Sequence, residues 1–568
     1  MRASTTAWAL ALAGIQVSSA INAATVHKLN DLAEMGLLPD GTSMGHAVFV
    51  PELANLKVAA PAYPPPSKPE VITPEYVELP LDHFAKNQDY SYHGTFNNRF
   101  WVAEAAYKPG GPVFIYDAGE ANAANNALFR LQNETSFFKQ LVDKYNGVGI
   151  VWEHRYYGNS TPEPIDLNTP PEVFKWLTTE QSLADVDKFA KQFKRQNIKQ
   201  DLTPKKTPWI FVGGSYPAMR AAFMREKYPD TIYASFASSA PVEARTDMSV
   251  YFEPVWRGLN RYGFGNCSQD IHAAINYIDN LLEKSPAKGA ELKKQFLGLG
   301  AEKNSHATFA DALTTHFSYW QSYGVDGAPF GLRGFCDWLE TDPSAGNKTA
   351  PAEGWAKTKG ANYTVARWSQ FPYLADMVNG FLETNCSGDA TVQGDCDLDR
   401  QFTDPSMISW TWQYCTQWGY FQSANLGPQQ LVSKFNSLRH QRDICHRQFP
   451  TAKAPLFPDW PRTDRTNDVF GGWDIRPSNT YWSGGEFDPW RTLSPLTGEP
   501  GYPKPRAFTN PPKCGEEQDE DDIFGYTLPN AQHCYDFRTY FAGGEISRTY
   551  FTNALDKWLK CFKPRGGH

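Results

Sequence analysis

Short runs of β-branched and aromatic residues punctuate the first half of the chain. Pro112-Val113-Phe114-Ile115-Tyr116 ends at Asp117-Ala118-Gly119, and Val148 to Trp152 ends at Glu153-His154-Arg155. Trp209-Ile210-Phe211-Val212 ends at Gly213-Gly214, and Ile232 to Phe236 makes a fourth run. Continuous apolar runs suit strands buried on both faces, as in a parallel sheet. Helical spacings lie between them. Leu183, Val186, Phe189 and Phe193 recur at intervals of three and four, and Met219, Ala222 and Phe223 do so after the third run. Alternating strand and helix predicts an α/β doubly wound core.

The pattern then changes. Ile271, Ala274, Ile275, Ile278, Leu281 and Leu282 share one helix face, as do Phe309, Leu313, Phe317 and Trp320. Strand signals are scarce until Asn479-Thr480-Tyr481-Trp482, which runs into Gly484-Gly485. One α/β domain, 76–245 and 436–568, is therefore predicted to be split by a mostly helical cap at 246–435. Residues 1–23 have the form of a secretory signal peptide: Arg2, an apolar Ala7–Val17, then small residues around Ala20 and Ala23. Residues 24–75, with Pro61, Pro64, Pro65, Pro66 and Pro69, read as an extended arm without a core of its own.

Composition narrows the function classes. Aromatics make up 14% of the 568 residues, which excludes disorder. A formal net charge of −8 gives no basic footprint for nucleic acid. After residue 23 no run approaches the roughly 18 apolar residues of a membrane span. With no C-x-x-C, H-E-x-x-H or G-x-x-x-x-G-K-[ST] pattern, no metal and no other cofactor is expected. The expected location is outside the cell, with a lysosome- or vacuole-like lumen as the alternative. Disulfides form in either place. Nine cysteines leave at least one over, and Cys386 with Cys396 is the one pairing that spacing suggests. Asn133, Asn159, Asn266, Asn347, Asn362 and Asn385 begin N-glycosylation triplets.

The candidate chemistry rests on three separated residues. Gly213-Gly214-Ser215-Tyr216-Pro217 sits where a buried strand meets a helix, the setting of a nucleophile elbow. Pro217 replaces the usual last glycine, and a helix's first turn tolerates proline because its N–H is unpaired there anyway. The Tyr216 N–H remains available for an oxyanion. A serine needs a base, and the base an orienting acid. Asp488 follows the Asn479–Trp482 run, in Phe487-Asp488-Pro489-Trp490, and His533 follows it. Ser, Asp, His is the α/β-hydrolase order.

Several blocks carry a family resemblance. They are Leu81-Asp82-His83-Phe84, Glu153-His154-Arg155-Tyr156-Tyr157-Gly158, Leu177 to Asp185, Val212 to Pro229, Asp488-Pro489-Trp490 and His533 to Arg538. Over roughly residues 75–560 the chain resembles serine peptidase family S28, which includes lysosomal Pro-Xaa carboxypeptidase, dipeptidyl peptidase II and fungal prolyl peptidases. It departs from the family at Pro217-Ala218, where two glycines are common, and at Cys534, where a second histidine is common. The resemblance implies an α/β-hydrolase fold with an inserted cap, and peptide hydrolysis after proline by Ser215, His533 and Asp488. Proline-containing peptides would be the partners. Met219 and Trp490 match family pocket positions. Trp412, Tyr414, Trp418 and Tyr420 are further pocket candidates from the cap, against the simpler reading that such aromatics are core.

Arg538 matches a family arginine; it would orient the acidic network, bind a substrate carboxylate or make a structural ion pair. Glu120 would anchor a substrate amino group or stand as a solvated loop carboxylate. The acidic run Glu516-Glu517-Gln518-Asp519-Glu520-Asp521-Asp522 is expected near the cleft mouth, disfavouring acidic peptides. Exo- and endopeptidase modes both remain open. An esterase or lipase on the same fold and a catalytically silent binding homologue are the alternatives.

Overall fold

The computed structural model describes residues 23–44, 70–85, 94–327 and 329–565. The segment expected as signal peptide, up to residue 22, and the Pro61–Pro69 cluster lie outside them. Nine strands form the main sheet: β1 (Glu75–Pro80), β2 (Thr95–Ala103), β3 (Val113–Asp117), β4 (Val148–Trp152), β5 (Trp209–Gly214), β6 (Ala234–Ser238), β7 (Thr480–Gly485), β8 (Arg506–Phe508) and β9 (Asp522–Leu528). Their order is β1-β2-β4-β3-β5-β6-β7-β9-β8. β2 pairs antiparallel with both β1 and β4, and every other pair is parallel. This is an α/β-hydrolase sheet. The chain leaves β3 for β4 on one side and returns beyond it as β5. Such a reversal opens a crevice at the carboxyl ends of the strands.

The strands alternate faces as their period of two requires. Val113, Ile115, Trp209 and Phe211 enter one buried cluster. Phe114, Tyr116, Ile210 and Val212 enter the other. The helices used below are α1 (Ala23–Glu34), α2 (Phe137–Lys144), α3 (Thr179–Gln192), α4 (Tyr216–Lys227), α5 (Gly265–Lys284), α6 (Pro405–Gln413) and α7 (Ala542–Trp558). α2 and α7 bury Phe137, Phe138, Phe551 and Trp558 in the second cluster, while α3 and α4 bury Leu183, Phe189, Met219 and Phe223 in the first.

The chain between β6 and β7 is mostly helical. α5 buries Ile271, Ala274, Ile275, Ile278 and Leu282, and these belong to the same cluster as the sheet's inner face. Cap and sheet thus share one core. Disulfides Cys267–Cys336, Cys386–Cys396 and Cys415–Cys445 link the helical span, and Cys514–Cys561 links the sheet body. Cys534 is the free cysteine.

One segment departs from expectation. The start of the proposed extended arm is helical and docked. Val26, Leu29 and Ala33 recur at three and four, so α1 buries one apolar stripe, and Met44 is buried beyond it.

Candidate active site

The turn from β5 into α4 holds Ser215 at φ 65°, ψ −131°. A non-glycine residue there stores about 1–3 kcal/mol of strain, which the surroundings must fix in place. The Ser215 N–H donates to the Ser238 carbonyl of β6 at 2.9 Å. A Cβ at Gly213 would come within 2.3 Å of the Pro217 carbonyl, so the turn closes only over a glycine. Pro217 lies in the first turn of α4, where no N–H is needed. Its ring takes the space that a Cβ at Gly119 would enter, at 2.5 Å, and Gly119 stands at φ 63°. The loop after β3 thus accommodates the proline.

Tyr216 is buried with its hydroxyl between Gln413 Nε2 (2.7 Å) and His154 Nε2 (3.0 Å). His154 Nδ1 faces the Arg155 carbonyl at 2.7 Å. Burial and the nearby Arg220 push the His154 imidazole well below its usual value, so it stays neutral and accepts the tyrosine proton at Nε2. That network fixes the first turn of α4, and with it the Tyr216 N–H. It went unread in the sequence, although the His154 block lay among the quoted motifs.

Asp488 hangs just past the end of β7, and His533 just past β9. Asp488 Oδ1 accepts the Trp490 N–H at 2.9 Å and faces His533 Nδ1 at 2.9 Å. Both side chains are fully buried. A Cβ at Gly485 would stand 2.3 Å from the Gln532 carbonyl, so this glycine lets the acid and base loops touch. His533 Nε2 has no hydrogen-bond partner among the described residues and lines the cleft with Ser215. Burial opposes a charged His533, but the Asp488 carboxylate and the Cys534 sulfur outweigh it and raise its pKa. Asp536 locks the base loop down. It accepts hydrogen bonds from Ser238 (2.5 Å), Ser483 (2.5 Å) and Ser547 (2.9 Å), on β6, β7 and α7. This acid within the His533–Arg538 block was not singled out.

The other side of the cleft is aromatic. The Trp490 and Tyr420 rings lie 5.3 Å apart and the Trp490 and Tyr251 rings 5.7 Å apart. The Trp490 indole N–H donates to Gln321 Oε1 at 2.9 Å. Trp410 and Tyr414 also line the cleft, one helical turn apart. Trp412 and Trp418 do not. Trp412 stands about 200° round the helix from Trp410, so it packs on Phe174, Phe449 and Phe457. Trp418 stacks on Phe223 and Phe470. Met219 is fully buried and backs Tyr420, whose hydroxyl approaches its sulfur at 3.5 Å, rather than lining the cleft itself.

Glu120 is not solvated. It lines the cleft at 9% exposure with Oε2 unpartnered, and burial raises its carboxyl. Arg538 Nη2 donates to the His533 carbonyl at 3.1 Å and lines the cleft as well. The acidic run lies elsewhere. Asp522 opens β9, whereas the site hangs from the other end of that strand, roughly 20 Å away along its seven residues. Asn133, Asn159, Asn347, Asn362 and Asn385 are exposed and Asn266 is half-buried. One contributor escaped the sequence altogether: Val26, His27, Asn30, Asp31 and Glu34 of α1 line the same cleft.

The family profile described as "Serine carboxypeptidase S28" matches residues 79–501. A "Probable extracellular serine carboxypeptidase" of Arthroderma benhamiae is 31% identical over 73% of this chain; the match spans 58% of that protein's length. The "Lysosomal Pro-X carboxypeptidase" of Bos taurus is 25% identical over 86% of this chain and 88% of its own. A solved acetyl esterase, MekB, superposes at a TM-score of 0.33 with 10% identity, over 86% of this chain and 97% of its own. At that score the strand order carries the fold assignment by itself.

Proposed function

The chain belongs to the serine carboxypeptidase S28 family, and from that premise we propose that it is a secreted serine peptidase that cuts peptide bonds on the carboxyl side of proline. The observation that carries this reading is the buried Asp488–His533 pair (2.9 Å), whose free Nε2 shares the cleft with the strained Ser215. Ser215 Oγ attacks the scissile carbonyl and His533 Nε2 takes its proton. Asp488 holds the tautomer and stabilises the imidazolium. The Tyr216 N–H donates to the oxyanion as the tetrahedral intermediate forms. His533 returns the proton to the leaving amine, and water, activated the same way, frees the acyl group from Ser215.

Proline preference is supported by the aromatic angle of Trp490 and Tyr420, with Tyr251 packed behind Trp490. A proline ring is small and apolar, and flat aromatic walls desolvate it without asking for a hydrogen bond. Glu120 offers a buried carboxylate to a cationic group of the substrate. Arg538 positions the base loop through the His533 carbonyl. Secretion is supported by four disulfides and the extracellular relative.

The test offers chromogenic Xaa-Pro amides and p-nitrophenyl esters to wild type and Ser215→Ala. Because α1 lines the cleft, both the intact chain and the chain cut between 45 and 69 are assayed. Amide turnover should fall at least ~10³-fold in the variant. Turnover of esters alone would favour an esterase. No Ser215-dependent turnover and no labelling by a serine-directed phosphonate would leave a silent binding homologue.

A further inference from the structure

Arg130 is buried beside the catalytic elbow and faces the cleft. Its guanidinium lies 4.3 Å from the centre of the Tyr116 ring and 5.7 Å from that of Phe537. Phe537 in turn abuts the elbow, since a Cβ on Gly214 would come within 2.9 Å of its ring. Phe537 thus bridges the guanidinium and the elbow, and Arg130 and Ser215 line the same cleft. Its carboxylate partners among the described residues are Asp31, at 3.1 Å, and Glu34. Both belong to α1. Arg538 lies close enough for its charge to act on Glu34 too.

With Asp31 and Glu34 gone, the guanidinium would face the cleft with aromatic neighbours and no carboxylate among the described residues, ready to receive an anion. The fork of Arg130 matches a carboxylate. A peptide backbone offers one carboxylate only, at its C-terminus. An internal peptide bond cannot supply it.

The segment that fills the site is held mainly by exchangeable contacts. Asn126 Nδ2 donates to Asp31 at 2.9 Å, Ser322 Oγ to Asn30 Oδ1 at 2.5 Å, Tyr323 to the Leu37 carbonyl at 2.9 Å, and Tyr540 to the Ala33 carbonyl. Its buried apolar side chains are Val26, Leu29, Ala33 and Met44. His27, on the same helix, lies within electrostatic reach of Glu120. α1 thus presents a carboxylate pair to the Arg130 guanidinium, as the C-terminus of a peptide substrate would. Residues 45–69 join it to the sheet body, so one cut there removes its covalent link.

We propose that Arg130 is the subsite for the free C-terminal carboxylate of a peptide substrate, and that residues 23–44 inhibit the enzyme by filling that subsite with Asp31 and Glu34. This rests on the peptidase reading above and makes the enzyme a carboxypeptidase whose own N-terminal segment must leave.

The test uses the full chain carrying a recognition site for a sequence-specific endoprotease within 45–69. The substrates are a blocked peptide ending in Pro-Phe with a free carboxylate, and its C-terminal amide. Cutting should raise kcat/KM for the acid at least ~10-fold, and a synthetic 23–44 peptide should inhibit the cut enzyme competitively. The Asp31→Ala/Glu34→Ala peptide should inhibit at least ~10-fold more weakly. In the cut enzyme, Arg130→Gln should lower the acid-over-amide preference at least ~10-fold, through KM.

Equal activity before and after cutting, no inhibition by the wild-type peptide, or an unchanged acid-over-amide ratio overturns the inference. In those cases Ser215-dependent turnover of Xaa-Pro amides still upholds the peptidase reading. A cut chain that neither labels nor turns over overturns both. The peptide measurement uses wild-type enzyme, so the test stands even where Arg130→Gln does not fold.

Discussion

The wall of the cleft that carries Ser215, Asp488 and His533 hangs from the carboxyl ends of β5, β7 and β9. The facing wall comes from α1, α6 and the Tyr414–Phe421 stretch, none of which joins the main sheet. On the first wall each residue follows a strand within a few positions, and parallel pairing brings those ends to one edge whatever the loops contain. On the second wall a side chain reaches the cleft only if its helix docks with that face inward. Trp410 and Trp412 are two residues apart and point to opposite fates: one lines the cleft and the other is core.

That contrast can be broken experimentally. On the strand-end wall, Asp488→Asn should leave the fold intact and lower kcat about 10⁴-fold, because the imidazole loses its orienting acceptor. Circular dichroism with single-turnover kinetics checks this, and a loss below ~10-fold would remove Asp488 from the mechanism.

On the helical wall the effect should divide between neighbours. Trp412→Ala empties a site enclosed by Phe174, Phe449 and Phe457 and should cost about 3–5 kcal/mol in denaturant unfolding. Trp410→Ala truncates a half-buried ring on the cleft and should raise KM with a smaller stability loss. Matching stability losses at the two positions would erase the distinction drawn between them.

The smallest effect is in the pH profile. Catalysis needs a neutral His533, and Asp488 and Cys534 favour its cation against the opposing effect of burial. The acid limb of kcat/KM should therefore lie above the ordinary histidine value of 6.5. Removing the sulfur lowers the imidazole pKa, so Cys534→Ala should move that limb down and extend activity to lower pH. An unmoved limb would leave Asp488 as the only group raising it.

Much of the fold was legible because buried strands have an unmistakable composition. Val148–Trp152 and Trp209–Val212 are apolar throughout, and parallel burial on both faces leaves no other use for such runs. Ser215 was legible for the same reason, since it ends such a run, whereas the strand Asp522–Leu528 went unread and His533 was picked out by its order after Asp488 alone. Trp412 and Trp418 were left between pocket and core, and Met219 was assigned to the pocket, because a pocket position and a core position use the same side chains. The acidic run was misplaced because order along the chain does not say which end of a strand a loop adjoins. Glu120 was left between a substrate anchor and a solvated carboxylate because a carboxylate in a loop looks the same whether it faces water or a cleft.

The strand runs, the helical span and the order Ser215, Asp488, His533 can all be read along the chain. These depend on local periodicity and on chemistry carried within a few residues of a strand end. Folding alone reveals that Gly119 makes room for Pro217, that Asp536 pins the loop bearing His533 and that α1 sits in the cleft with its acids on Arg130. Each of these joins residues far apart in the chain. The physical reason is that packing is settled by volume and charge in three dimensions, and neither is periodic in the chain.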